Sequence, residues 1–245
     1  IDLNPGHSFR WQHGAARVHD FILMTTAADK AYVRQIMAYE TFAAAGVPSF
    51  FCFPVRLQQN NTLYGVMHLT EVGNNDWLER LGLDPNGALY KIYLPLTNAY
   101  GGVAEKKTRK NEDYADLQSL IDGCKLSETA RRVYLYDNID IPEVINFLAT
   151  IQVVQNEDCC VYKNYYLYRD TEGTREWQMI PWDLDLSFGR VFSDWVLDHG
   201  VYTGGYYDTN IYWMNKRYSQ LREYYDYIGF GNPLERDQKL VLEDV

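Results

Sequence analysis

Asn164 to Gly189 reads NYYLYRDTEGTREWQMIPWDLDLSFG. Two runs rich in aromatic and apolar residues, Asn164 to Arg169 and Glu176 to Ile180, flank the polar Thr171-Glu172-Gly173-Thr174. That pattern predicts a β-hairpin. The second run ends in Pro181-Trp182-Asp183-Leu184-Asp185-Leu186. If the strand continues, Asp183 and Asp185 point the same way and can reach one hard cation. Carboxylates set among Trp, Leu and Phe are costly unless a metal, a lysine or hydrogen bonds satisfy them. The competing reading is an exposed edge strand with two solvated aspartates.

Upstream lies Asn156-Glu157-Asp158-Cys159-Cys160-Val161-Tyr162-Lys163-Asn164. It joins a predicted helix, opened by Asp140-Ile141-Pro142-Glu143 and running to about Val154, to the hairpin. An Asp and an Asn about six residues apart can serve as base and metal ligand in phosphoryl transfer, provided the loop curls so that both face one centre. A helix C-terminus followed by an ordinary turn is the plainer alternative. The order of the parts favours chemistry: a carboxylate-plus-amide loop, a hairpin, then a second carboxylate.

Earlier in the chain, residues Asp29 to Gly46 carry apolar positions at helical spacing and close on Gly46 and Pro48. Ser49 to Leu57 and Thr62 to Glu71 read as strands turned at Gln58-Gln59-Asn60-Asn61. Asn60-Asn61-Thr62 is also a glycosylation sequon. A short helix is expected over Asp76 to Leu81 and a strand over Ala88 to Leu94. Thr97 to Glu112 reads as a loop, Asp113 to Ile121 and Ser127 to Tyr136 as short helices, and Met214 to Tyr227 as a further helical stretch. Strands early and helices in the middle predict an α+β fold rather than a wound parallel sheet.

The chain has 245 residues, 23 basic against 33 acidic, for a net charge of -10. A broad electrostatic grip on nucleic acid is therefore not expected. No run of about 18 apolar residues is present to span a membrane. The chain begins Ile1-Asp2-Leu3 with neither an initiator Met nor a leader, and reads as an internal fragment or a mature form lacking its front end. Cys52, Cys124, Cys159 and Cys160 form neither a CxxC nor a Cys/His metal pattern, and both disulfides and buried thiols stay open.

The hairpin and its Pro181-Trp182-Asp183-Leu184-Asp185 end resemble the spore coat protein H (CotH) kinase family. So do Leu63-Tyr64-Gly65-Val66-Met67-His68-Leu69-Thr70-Glu71 and Ala88-Leu89-Tyr90-Lys91, in the same order. The resemblance runs from about Asp29 to Gly189. It implies an atypical protein kinase-like fold of two lobes, sheet-rich to about residue 96 and helical from 97 to 245, in a single domain lacking part of its N-terminus. It also implies ATP with Mg²⁺ or Mn²⁺ as cofactors.

Carried over residue by residue, Lys91 holds the ATP phosphates and Glu71 is its ion-pair partner. Asp158 is the catalytic base, with Glu157 the nearest substitute. Asn164 and Asp183 bind the metal, with Asp185 a second or alternative ligand. No GxGxxG loop precedes Lys91. The implied activity is phosphorylation of Ser or Thr hydroxyls on a coat or secreted protein, at the cell surface, outside the cell or in the spore coat. The acidic balance favours a basic or neutral acceptor segment. The alternative is a non-catalytic surface adhesin or coat scaffold, with Tyr202-Thr203-Gly204-Gly205-Tyr206-Tyr207 as its contact surface. A glycosidase built on Asp183 and Asp185 is disfavoured, because residues so close in sequence cannot easily flank a glycosidic bond.

Overall fold

A computed structural model describes residues 1–10, 17–29, 31–154, 156, 159 and 163–188. The expected helix at Met214 to Tyr227, the Tyr-rich segment at 202–207 and Cys160 lie outside the described residues. Within them the fold is α+β, with two antiparallel sheets and five helices.

The first sheet has the order β1-β3-β2, formed by β1 (Ile22–Met24), β2 (Cys52–Gln59) and β3 (Thr62–Thr70). Asn60 and Asn61 turn the β2–β3 hairpin at φ 51° and 63°. Asparagine tolerates this left-handed region better than most residues, and it suits a two-residue turn. The hairpin therefore falls where the turn residues predict it. Between β1 and β2 runs α1 (Arg34–Ala44). It starts later than its periodicity suggests. Asp29, fully buried, accepts the N–H groups of Ala31 and Arg34, and Tyr32 adopts φ 57°, so the chain turns before the helix begins. Gly46 at φ 79° ends it, with the Val47 N–H returning to the Phe42 carbonyl.

The second sheet has the order β5-β4-β6-β7: β4 (Ala88–Ile92), β5 (Ala104–Lys106), β6 (Tyr165–Arg169) and β7 (Trp177–Pro181). A strand that precedes three helices thus pairs with the hairpin that follows them. β5 corrects the expectation of a loop across Thr97 to Glu112. Its three residues carry no apolar alternation of their own, and β4 supplies the pairing. The predicted β6–β7 hairpin is present, and the Asp170 carboxylate closes its turn by accepting the N–H groups of Glu172, Gly173 and Thr174.

The helices α2 (Asn75–Arg80), α3 (Ala115–Cys124), α4 (Glu128–Asn138) and α5 (Ile141–Val154) complete the fold. Asn74 caps α2 by accepting the Trp77 N–H, and Asp140 accepts the Glu143 N–H at the start of α5. Ser127 stands at the N-cap of α4 without a side-chain bond to the helix. The α4–α5 junction covers the outer edge of β7: the Asp140 N–H bonds the Trp177 carbonyl, and the Glu143 carboxylate accepts the Met179 N–H. An otherwise open strand edge is thereby satisfied from within the chain.

An aromatic cluster ties both sheets to α1 and α2. The Phe50 ring stacks on Trp77 at 4.2 Å and meets Trp182 edge-on at 4.8 Å, with Tyr39 and Tyr166 at 5.7 and 5.5 Å. Cys52, Cys124 and Cys159 are buried. Among the described residues no helix is long and apolar enough to cross a membrane.

Candidate active site

The hairpin register builds the site. Tyr165 pairs with Pro181, and one step further out the Trp182 N–H donates to the Asn164 carbonyl at 3.0 Å. Asn164 therefore lies across the hairpin from Trp182, one residue from Asp183. Lys91 pairs with Tyr166 on the neighbouring strand. Its ammonium sits 4.7 Å from the centre of the Trp182 ring and 5.2 Å from that of Tyr93. Three residues expected from the sequence, Lys91, Asn164 and Asp183, are thus gathered at one end of the second sheet.

The strand does not continue through the two aspartates as the simplest reading expects. β7 stops at Pro181, and Asp183 takes φ 58°. Short polar residues accept this conformation where β-branched ones do not. The Asp183 N–H donates to the buried Tyr39 hydroxyl at 3.2 Å. Leu184 and Leu186 are buried while Asp183 and Asp185 are half-exposed, so the segment still turns both carboxylates to its wetter side. Its far end is anchored as well. Arg34 donates to the carbonyls of Ser187 and Phe188, and the Asn156 amide donates to the Ser187 hydroxyl.

Burial pulls the Lys91 ammonium below the usual lysine range, and Lys107 pushes the same way. Asp183 and Glu105 oppose that shift. Lys91 and Asp183 therefore act on each other electrostatically.

Glu71 is the correction. Its buried carboxylate accepts from Arg80 Nη2 at 2.7 Å and from the Phe51 N–H at 2.6 Å, so its cationic partner is Arg80 on α2 rather than Lys91. Burial raises its pKa, with Arg80 opposing. Strand spacing gave no sign of this, because the partner comes from a helix nine residues on. Asp158 and its substitute Glu157 lie outside the described residues. Beside them, the Asn156 side chain accepts the Cys159 N–H at 2.6 Å.

Sequence reasoning missed Tyr39, Arg34, Asn156 and Lys107. Only the adjacent pair Lys106-Lys107 carried a signal, a local concentration of positive charge in an acidic chain.

Among the described residues no three His, Cys, Asp or Glu side chains converge on one metal position. The available donors, carboxylates and an amide, are hard oxygen ligands. They suit Mg²⁺ or Mn²⁺, which commonly take one or two carboxylates and complete their shell with water and phosphate.

The family described as CotH kinase protein matches residues 4–227. The chain belongs to the CotH kinase family. The match extends beyond Asp29 to Gly189 on both sides and contains every site residue named above. No curated protein matched the chain.

Proposed function

We propose that this CotH family member is an ATP-dependent protein kinase that phosphorylates Ser or Thr hydroxyls of a coat or extracellular protein. The observation that carries the reading is the hairpin register. It brings Asn164 and Asp183 together where the Lys91 ammonium lies over Trp182. The proposal includes one kinase-like domain over residues 1–245; β5, β6 and β7, all beyond residue 96, share a sheet with β4, so the expected lobe boundary at residue 96 is not kept. It also places the protein at the cell surface or spore coat.

In the mechanism, Lys91 binds phosphate oxygens of ATP and fixes their position. Asn164, Asp183 and Asp185 would hold Mg²⁺ or Mn²⁺, which neutralises charge on the phosphates when bound. Asp158 accepts the proton of the acceptor hydroxyl as its oxygen bonds to the γ-phosphorus and the bond to the ADP oxygen breaks. Positioning and charge neutralisation supply most of the rate in such transfers. The buried Trp182 ring beside Lys91 raises the strength of the charge interactions by excluding water on that side.

The test is thermal unfolding of the full chain with ATP and Mn²⁺, with ATP and EDTA, and in the Asp183→Asn variant. Asn is chosen because it keeps tolerance for the positive φ at 183. ATP at about 100 times its dissociation constant stabilises by roughly 2.7 kcal/mol, which reads as a shift of a few degrees. The expected shift requires metal and disappears in Asp183→Asn. A folded wild type that shows no shift refutes the kinase reading and favours the scaffold.

A further inference from the structure

The neighbouring lysines 106 and 107 have opposite fates. Lys106 is buried, lies 5.3 Å from the centre of the Tyr90 ring and donates to the Asp113 carbonyl at 2.7 Å. It is part of the packing between the second sheet and the segment leading into α3. Lys107 faces the other way. Lys91 pairs in register with Glu105, and Lys107 lies two residues beyond Glu105, its N–H bonded to the Leu89 carbonyl. With strand alternation, Lys91, Glu105 and Lys107 share one face.

A chain of contacts runs across that face. Glu105 accepts Lys107 Nζ at 3.0 Å through one oxygen and the Tyr93 hydroxyl at 2.7 Å through the other, and the Tyr93 ring borders Lys91. Two ammonium groups are gathered here with one carboxylate between them. Asp183 supplies the second compensating charge from the metal side. A cation taken up by Asp183 would withdraw that compensation from Lys91 and leave the lysine pair in need of an anion. A polyphosphate, with several charged oxygens along a short chain, can meet two ammoniums at once.

We infer that Lys107 is a second phosphate ligand: with Lys91 it forms a two-lysine clamp for a polyphosphate, and Glu105, anchored by Tyr93, holds Lys107 in place until the anion arrives. The inference deepens the proposed ATP site and rests on that reading.

Calorimetric binding to the full chain tests it, in the presence of Mn²⁺, with ATP, inorganic tripolyphosphate and adenosine as probes. Lys107→Gln is expected to weaken ATP and tripolyphosphate by about tenfold, the scale of one charge-assisted contact. It should leave adenosine unchanged, and Lys107→Arg should restore affinity to within about twofold, since arginine keeps the charge. Glu105→Gln removes the competing carboxylate without touching either lysine, and should tighten tripolyphosphate a few-fold. Unchanged ATP affinity in Lys107→Gln overturns the clamp. So does an equal loss for adenosine, or weaker tripolyphosphate binding in Glu105→Gln. A wild type that binds tripolyphosphate through Lys107 but shows no preference for ATP retains the clamp and discards the kinase. A wild type that binds neither discards both.

Discussion

Glu143 should give the protein a pH-dependent weakness that one substitution removes. It stands in the first turn of α5 with its side chain almost wholly enclosed, 7% exposed. One carboxylate oxygen accepts the Met179 N–H at 3.0 Å. The other is buried and has no hydrogen-bond partner among the described residues. Burial pushes its pKa from 4.5 up to about 8. The Met179 N–H opposes that rise, and the Asp140 charge reinforces it. The folded protein therefore keeps a proton on Glu143 across a window in which the unfolded chain has lost it. The stabilising contribution is complete below the unfolded value and is lost as pH rises through the folded one.

The slope inside that window is about 1.4 kcal/mol per pH unit, so the group is worth about 5 kcal/mol across it. Urea unfolding of wild type and Glu143→Gln at pH 5.5, 7 and 8.5 isolates the effect, because the other titrating groups are common to both. The amide oxygen of Gln can still accept the Met179 N–H and does not ionise. Wild type is expected to lose roughly 3 kcal/mol relative to Gln between the lowest and highest pH, making the variant the more stable at pH 8.5. Stability curves that stay parallel would refute the reasoning, since they would mean that Glu143 is ionised in the folded protein throughout.

Tyr39→Phe removes the hydroxyl that receives the Asp183 N–H; it should cost about 1 kcal/mol in urea unfolding and weaken Mn²⁺-dependent ATP binding several-fold by calorimetry, and unchanged affinity would detach Tyr39 from the site. Arg80→Ala leaves Glu71 buried without its cation and should destabilise by about 3 kcal/mol, with Glu71→Gln recovering part of the loss in the double variant; additive losses in the denaturation cycle would contradict the pairing. Phe50→Ala opens a hole between Trp77 and Trp182 and should cost roughly 3–5 kcal/mol, read by chemical denaturation followed through tryptophan fluorescence.

The legible parts of the fold were those whose information is local. The Asn60-Asn61 turn, the Asp140-Pro142 helix start and the aromatic run Tyr165 to Arg169 each carry their own instruction, and each element is present. β5 was not legible, because Ala104-Glu105-Lys106 gains its strand character from β4 and not from its own pattern. The late start of α1 depends on a carboxylate buried five residues before it. At the site, motif order located Lys91, Asn164 and Asp183, and the structure brings them to one end of a sheet. Glu71 was misassigned for a physical reason: Arg80 satisfies it from α2, and tertiary contacts such as the packing of Phe50 on Trp77 hold that helix alongside. Tyr39 is separated from Asp183 by 144 residues, so no spacing rule could have joined them.

The same packing explains how the chain tolerates a backbone turn at the point where the proposed function needs charge placed accurately. A left-handed residue at the end of a strand gives up strand pairing and carries some strain. Here the loss is offset on every side of Asp183. The residue before it is held by the Asn164 carbonyl and the Phe50 ring, the residue after it is buried, and its own N–H meets a hydroxyl fixed in the core by α1. Arg34 then fastens the segment four residues on. The supports come from α1, the β6–β7 hairpin and the aromatic cluster, so displacing the Asp183 backbone requires disturbing one of them. A scaffold needs no backbone anchored this closely around one aspartate, whereas the proposed phosphoryl transfer loses rate steeply when a charged ligand is displaced by about 1 Å.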